Sequence, residues 1–335
     1  MSVQKKGEGI NWTETTWNPL RGCSRVSAAC QSCYAEDLAY RFSGPGQPFE
    51  GLIHPVTKGW NGVIRFLPDK LAEPLQWTRP RIVFVNSVSD LFMATHHEIA
   101  AIFGVMALAG RHTFQTLTKR HVSMRAWFQW LEEKASTPEA KIAFCVNALE
   151  TFVPGASKRH ALPNQWPLPN VWLGVTAEDQ GNADARVPEL LACPAAVRWV
   201  SAEPLLGPID FENWLDRTQA AGGGWPRLDL VVVGGESGSD ARPMHPEWAR
   251  QIRDACRSAG AAFHFKQWGE FIQGPNHGNP VLNDKGYAVP SVLLCTPGKH
   301  DYVRMVRVTK RKAGRLLDGV IHNDAMSGRV GCSPN

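Results

Sequence analysis

Arg81-Ile82-Val83-Phe84-Val85-Asn86 runs directly into Ser87-Val88-Ser89-Asp90. A short, nearly unbroken apolar and β-branched run suits a strand covered on both faces of a parallel sheet, and the polar residues behind it mark the strand's carboxyl end. The same unit recurs along the chain. Thr113 to Thr118 is followed by Lys119-Arg120-His121, Val171 to Thr176 by Glu178-Asp179, and Val197 to Ala202 by Glu203-Pro204. Leu228 to Val233 leads into Gly234-Gly235-Glu236-Ser237-Gly238, and Ala261 to Phe265 into Lys266-Gln267-Trp268. Helical periods lie between several of these runs. Glu247 to Ala259 places Trp248, Ile252, Ala255, Cys256 and Ala259 on one face, with Pro246 at the start and Gly260 at the stop. Glu98 to Ala109 and Ser123 to Glu133 are further helix candidates, and the apolar run Ile99 to Gly110 reads as a buried helix, too short to span a membrane. Strand and helix alternating in this way predict an α/β fold with right-handed crossovers, either barrel or doubly wound. In such folds ligands bind at the carboxyl ends of the strands, where the charged residues here collect.

The connection from Glu132 to Asn170 is longer than an ordinary crossover and holds five prolines, Pro138, Pro154, Pro163, Pro167 and Pro169, with Lys158, Arg159 and His160. It reads as a lid or as an insertion with its own strand at Lys141 to Val146. The expected organisation is a (β/α) barrel domain over 1–272 and a C-terminal extension over 273–335. The barrel domain would carry a cysteine loop near 18–35 and the insertion near 132–170.

The 335 residues, 43% hydrophobic and 20% charged, describe an ordinary globular chain, not a disordered one. Its 36 Lys and Arg against 31 Asp and Glu give a formal charge of +5, which permits a polyanionic partner without requiring one. Arg304, Arg307, Lys310, Arg311, Lys312 and Arg315 concentrate the excess, as a solvated face or as contacts to phosphates. Met1 to Gly9 have no apolar core of a secretory signal, so a reducing cytoplasm is expected, with no membrane partner. In that setting clustered cysteines point to a metal before a disulfide. Cys145, Cys193, Cys256, Cys295 and Cys332 are scattered, as small buried hydrophobes are.

The cluster itself lies in Asn18-Pro-Leu-Arg-Gly-Cys23-Ser-Arg-Val-Ser-Ala-Ala-Cys30-Gln-Ser-Cys33-Tyr34-Ala35, just after a first strand predicted within Asn11 to Trp17. Three thiolates hold three corners of a metal site and leave one position open, whereas structural zinc takes a fourth protein ligand. Zinc held by Cys30-x2-Cys33 with His54 is the rival reading. A nucleic-acid-binding module, stacking bases on some of the 13 tryptophans, is another.

This stretch resembles the radical S-adenosylmethionine superfamily, in which three cysteines after the first strand ligate a 4Fe-4S cluster. Asn18 to Cys23 and Cys30 to Ala35 look like the two halves of the motif in photoproduct-lyase-like enzymes, with gaps of six and two residues. Over nearly the whole chain, Ile10-Asn-Trp-Thr13, Val85 to Phe92, Leu117 to Arg120, Val171 to Val175, Glu203 to Pro208, Val233 to Ser237, Arg242 to His245, Phe265 to Gly269 and Ala313 to Asp318 resemble a phage and bacterial three-cysteine-motif family of unknown function. The resemblance implies an α/β partial (β/α) barrel of the radical-SAM type, a 4Fe-4S cluster on Cys23, Cys30 and Cys33, and S-adenosylmethionine cleaved reductively to a hydrogen-abstracting radical. It further implies Tyr34, Ser87, Ser89 and Asp90 near the methionine end of the cofactor and Glu178 at the ribose hydroxyls. Glu203, Glu236, Arg242 and Lys266 would then face a substrate, a nucleic acid or nucleotide among the candidates. A three-cysteine-motif partner protein is the implied protein partner.

Overall fold

Buried, β-branched segments form seven parallel strands in the computed structural model, which describes residues 12–215, 226–275, 281, 287–296, 298 and 301–324. In chain order the strands are β1 (Thr15–Trp17), β2 (Leu20–Arg21), β3 (Arg65–Phe66), β4 (Ile82–Val85), β5 (Thr113–Thr118) and β6 (Val171–Thr176). They continue with β7 (Val197–Ala202), β8 (Leu230–Gly234), β9 (Ala262–Gln267), β10 (Phe271–Gln273), β11 (Ser291–Cys295) and β12 (Tyr302–Arg307). The helices are α1 (Tyr34–Arg41), α2 (Pro68–Leu71), α3 (His96–Leu108), α4 (His121–Lys134), α5 (Pro138–Phe152), α6 (Gln180–Leu191), α7 (Glu212–Leu215), α8 (Pro246–Ala259) and α9 (Lys310–Ala313). The seven-stranded sheet has the order β1-β4-β5-β6-β7-β8-β9. Its order follows the chain without reversal. A doubly wound sheet reverses at a switch point, so this topology is that of a partial (β/α) barrel.

The chain divides into two compact units, Met1–Val175 with Pro188–Arg198, and Thr176–Val187 with Trp199–Asn335. In the first, β1, β4, β5 and β6 pair in register, with Trp17 opposite Val85 and Thr118 opposite Val175. Their carboxyl ends therefore lie side by side. Helix α3 begins with a capping box between Thr95 and Glu98 and is buried from Ile99 through Leu108. Gly104 explains how it packs: a Cβ there would stand 2.4 Å from the Cys145 carbonyl oxygen, so α3 and α5 approach backbone to backbone. In the second unit, β7, β8 and β9 pair in parallel, with Ala202 opposite Val233 and Val231 opposite Phe263. A separate antiparallel sheet has the order β10-β12-β11. Helix α8 follows its period, with His245 as N-cap, Pro246 in the first turn and Gly260 left-handed at φ 66°.

Two sequence expectations are corrected. Cys295, expected as a small buried hydrophobe, is exposed at the end of β11. Lys141 to Val146 is not a strand but the middle of α5. Thr137 accepts from the Ala140 amide ahead of it, Pro138 opens it, and Ile142, Cys145, Val146 and Leu149 recur at helical spacing on its buried side. The first strand also starts later than its predicted range, at Thr15, while Asn11 and Cys332 lie outside the described residues. Among the described residues no helix is long and apolar enough to cross a membrane.

Burial leaves a pH signature. His264 on β9 is fully buried, and burial first, then Arg315 and Lys266, bring its pKa from 6.5 to about 3. His112 and His245 are also lowered, chiefly by burial. Between those pH values the unfolded chain binds protons that the folded chain does not, so stability is lost as pH falls from about 6.5 toward 3. Each such histidine contributes up to about 1.4 kcal/mol per pH unit. Urea midpoints should drop between pH 7 and pH 5, and His264→Gln should flatten the profile. An equal slope in the variant would refute the assignment.

Candidate functional site

Gly22, at φ 94°, turns the chain out of β2 and brings the cysteine loop against the loop after β4, where it bridges to Ser89. No side chain fits there: a Cβ would lie 2.1 Å from the Val63 carbonyl oxygen. The Cys23 carbonyl accepts from the Gly62 amide at 3.2 Å. Cys33 is the N-cap of α1, and Cys30 Sγ accepts from the Val26 amide at 3.5 Å. All three cysteines are half-buried free thiols in the first unit.

Three cations interact electrostatically with them. Burial first, and then Asp90, push the Cys23 thiol up to about 12, and Arg120 pulls against both. Cys33 is raised by burial and drawn back by the Glu36 and Ala35 amides and by Lys119. Cys33 adds to the upward push on Cys23, and Cys30 to that on Cys33. Arg25, whose Nε lies 3.1 Å from both carboxylate oxygens of buried Glu36, senses Cys30 and Cys33. Glu36 also accepts from the Trp60 amide at 2.7 Å, tying the cysteine loop to the turn after it.

The residues predicted to follow β4 are here, with particular partners. Asp90 Oδ1 accepts from Thr118 Oγ1 at 2.7 Å and the Phe92 amide at 3.1 Å. Its Oδ2 accepts from the Lys119 amide at 3.1 Å and Arg120 Nη1 at 3.2 Å. Ser87 Oγ donates to Asn18 Oδ1 at 3.1 Å, and exposed Tyr34 donates to the Ser87 carbonyl at 2.6 Å. Ser89 Oγ is buried without a partner. His54, the zinc rival's extra ligand, instead accepts from the Val56 and Thr57 amides through Nδ1. Among the described residues no three His, Cys, Asp or Glu side chains are drawn up to hold a single metal ion.

The remaining predicted residues form ion pairs in the second unit. Lys266 Nζ lies 2.7 Å from Glu203 Oε1 and 2.8 Å from Oε2, and Gln267 Nε2 joins Glu203 to Ser237. Gly234 makes room, since a Cβ there would meet the Glu203 carboxyl at 3.1 Å. Arg242 grips Glu236 through Nε at 2.8 Å and Nη2 at 2.6 Å, which holds its guanidinium pKa up. Glu178 is 0% exposed. Its Oε2 accepts from Arg186 at 2.8 Å, and Oε1 has no partner.

A family model matches residues 7–326, nearly the whole chain. The chain belongs to the family described as protein of unknown function, DUF5131. No curated protein and no solved structure matches it. The DUF5131 match takes in the cysteine loop as well as the Glu203, Glu236 and Arg242 segments. Sequence reading of this DUF5131 chain missed Arg120, Arg186 and Arg25 as working residues. For Arg120 a signal existed, since it follows β5 where acids follow other strands. Arg186 lies eight residues beyond Glu178, on α6, and only the folded helix turns it back.

Proposed function

We propose that this chain is an iron-sulfur protein of the radical S-adenosylmethionine type, with Cys23, Cys30 and Cys33 as cluster ligands. The observation that carries the reading is three half-buried thiols in the loop after the first strand of a parallel sheet that runs in chain order, within the electrostatic reach of Arg25, Lys119 and Arg120. The donor set fits. Single zinc needs four donors drawn to one point, whereas a 4Fe-4S cluster spreads three thiolates over separate irons. The cations favour a site whose ligands are anionic.

When bound together, the cluster and S-adenosylmethionine supply hydrogen-atom abstraction chemistry. The chain's own residues hold and orient. Ser89 presents a buried hydroxyl without a partner beside the cysteine loop. Glu178 Oε1 is the sole buried carboxylate oxygen lacking a partner among the described residues, and its ribose role stands on the resemblance alone. Glu203–Lys266 and Glu236–Arg242 are the pairs proposed to meet substrate, with a nucleic acid or nucleotide as one candidate class. The proposed setting is the cytoplasm, with a three-cysteine-motif protein as partner.

Anaerobic purification with iron and acid-labile sulfide analysis is the test. Roughly four irons and four sulfides per chain are expected from the cluster assignment, and 5'-deoxyadenosine should form with S-adenosylmethionine and dithionite. Zinc without iron would end the reading. A reduced cluster giving no deoxyadenosine would leave an iron-sulfur protein without radical chemistry.

A further inference from the structure

Asp90 stands in the loop after β4, against which the cysteine loop is seated, and the resemblance gives it to the cofactor. Its hydrogen bonds tell otherwise. A carboxylate offers about four lone-pair sites, and Asp90 spends four acceptances on Thr118, Phe92, Lys119 and Arg120. Arg120 is itself mostly buried, so its cation is not a solvated surface charge. Beyond Asp90 it reaches into the cysteine loop, where Nη2 donates to the Ser24 carbonyl at 3.0 Å and to Ser24 Oγ at 2.6 Å. Thr118 supports the same turn from behind, accepting from the Arg120 amide at 2.8 Å.

From this geometry we infer that Asp90 acts on Arg120 instead of on a ligand, and that the Asp90–Arg120–Ser24 strut is the positioning device of the cysteine loop. Ser24 adjoins Cys23, so Arg120 does two things at once. Its planar fork fixes the main chain that aims Cys23. Its fixed positive charge, sensed at Cys23, also favours the more negative state of anything that the thiolates hold. Lysine would supply the charge without the fork. The inference deepens the iron-sulfur reading and rests on it for the second effect only. The first concerns the chain alone.

The test uses the full chain and four variants: Arg120→Gln, Arg120→Lys, Asp90→Asn and Ser24→Ala. In metal-free protein, hydrogen exchange of the amides from Ser24 to Gln31 should quicken in Arg120→Gln and Asp90→Asn, with exchange in α3 unchanged. In reconstituted protein, iron loss to a chelator should quicken about tenfold or more in Arg120→Gln, the usual scale for an outer support of a metal ligand. The cluster's midpoint potential should also move to a more negative value. Arg120→Lys should keep the potential near wild type but still lose iron faster. Ser24→Ala, which removes one hydroxyl and threatens no fold, should show a smaller change in the same direction. Unchanged exchange in both Arg120→Gln and Asp90→Asn overturns the strut. Quickened exchange with unchanged potential overturns the electrostatic role. If wild type takes up no iron and sulfide, the iron-sulfur reading fails, and exchange still decides the strut by itself.

Discussion

Cys30→Ala is expected to reduce bound iron and sulfide to background and to abolish deoxyadenosine formation, while leaving the chain folded. The thiol is half-buried in a loop and accepts a 3.5 Å bond from the Val26 amide. Loss of that contact should change stability by no more than about 0.5 kcal/mol, as for an ordinary substitution away from the core. On the proposed reading, two thiolates cannot replace the three that a 4Fe-4S cluster with one open iron requires. Cys295→Ala is the control, since this exposed thiol in β11 lies outside the proposed ligand set. Parallel iron analysis, thermal melts and deoxyadenosine assays check the prediction. Full iron and sulfide in Cys30→Ala would remove Cys30 from the ligands, and equal losses in Cys295→Ala would trace the effect to handling of the protein.

Arg186→Met should be the most destabilising single change outside the apolar core. Arg186 is 3% exposed and Glu178 0%, and the arginine also donates to the Thr176 carbonyl at 3.0 Å and to Thr176 Oγ1 at 3.1 Å. Removing the cation leaves a fully buried carboxylate without a partner on either oxygen. Breaking one side of a buried pair in this way costs about 3–5 kcal/mol. Glu178→Gln should cost less, because a neutral amide can still accept from Arg186 and the guanidinium keeps its Thr176 bonds. Urea unfolding of the two variants checks the order. A milder Arg186→Met than Glu178→Gln would mean that Glu178 does not depend on Arg186 for its charge.

Much of the fold was legible because buried parallel strands are local patterns. Thr113–Thr118, Val171–Thr176 and Val197–Ala202 form within the predicted bounds, since each is a short apolar run closed by polar residues. Helix α8 was legible for the same reason, its apolar face, proline and glycine all being local. The insertion was misread at Lys141 to Val146 because a six-residue apolar window has no period of its own. Helix α5 shows only over the fifteen residues from Pro138 to Phe152, where the spacing of Ile142, Cys145, Val146 and Leu149 becomes visible.

The candidate site was legible as a set of residue types and not as a set of partners. Asp90, Glu178, Glu203 and Glu236 stand after strands and Lys266 stands near the end of β9, and the sequence alone picks them out as a group. Which of them is committed to another side chain depends on angles and distances between segments far apart in the chain. Lys266 meets Glu203 across 63 residues and Arg120 meets Ser24 across 96.

The sequence by itself determined that the chain is α/β, where its main strands run, and that three cysteines follow the first of them, because each is written in neighbouring residues. Only the tertiary structure decided that the strands order themselves without reversal. It alone showed that Gly22 seats the cysteine loop on the loop after β4, and that Asp90 is spent on Arg120 while Glu178 keeps one oxygen uncommitted. Those outcomes depend on which hydrogen-bond partners packing brings within 3 Å or so, and no local pattern encodes that choice.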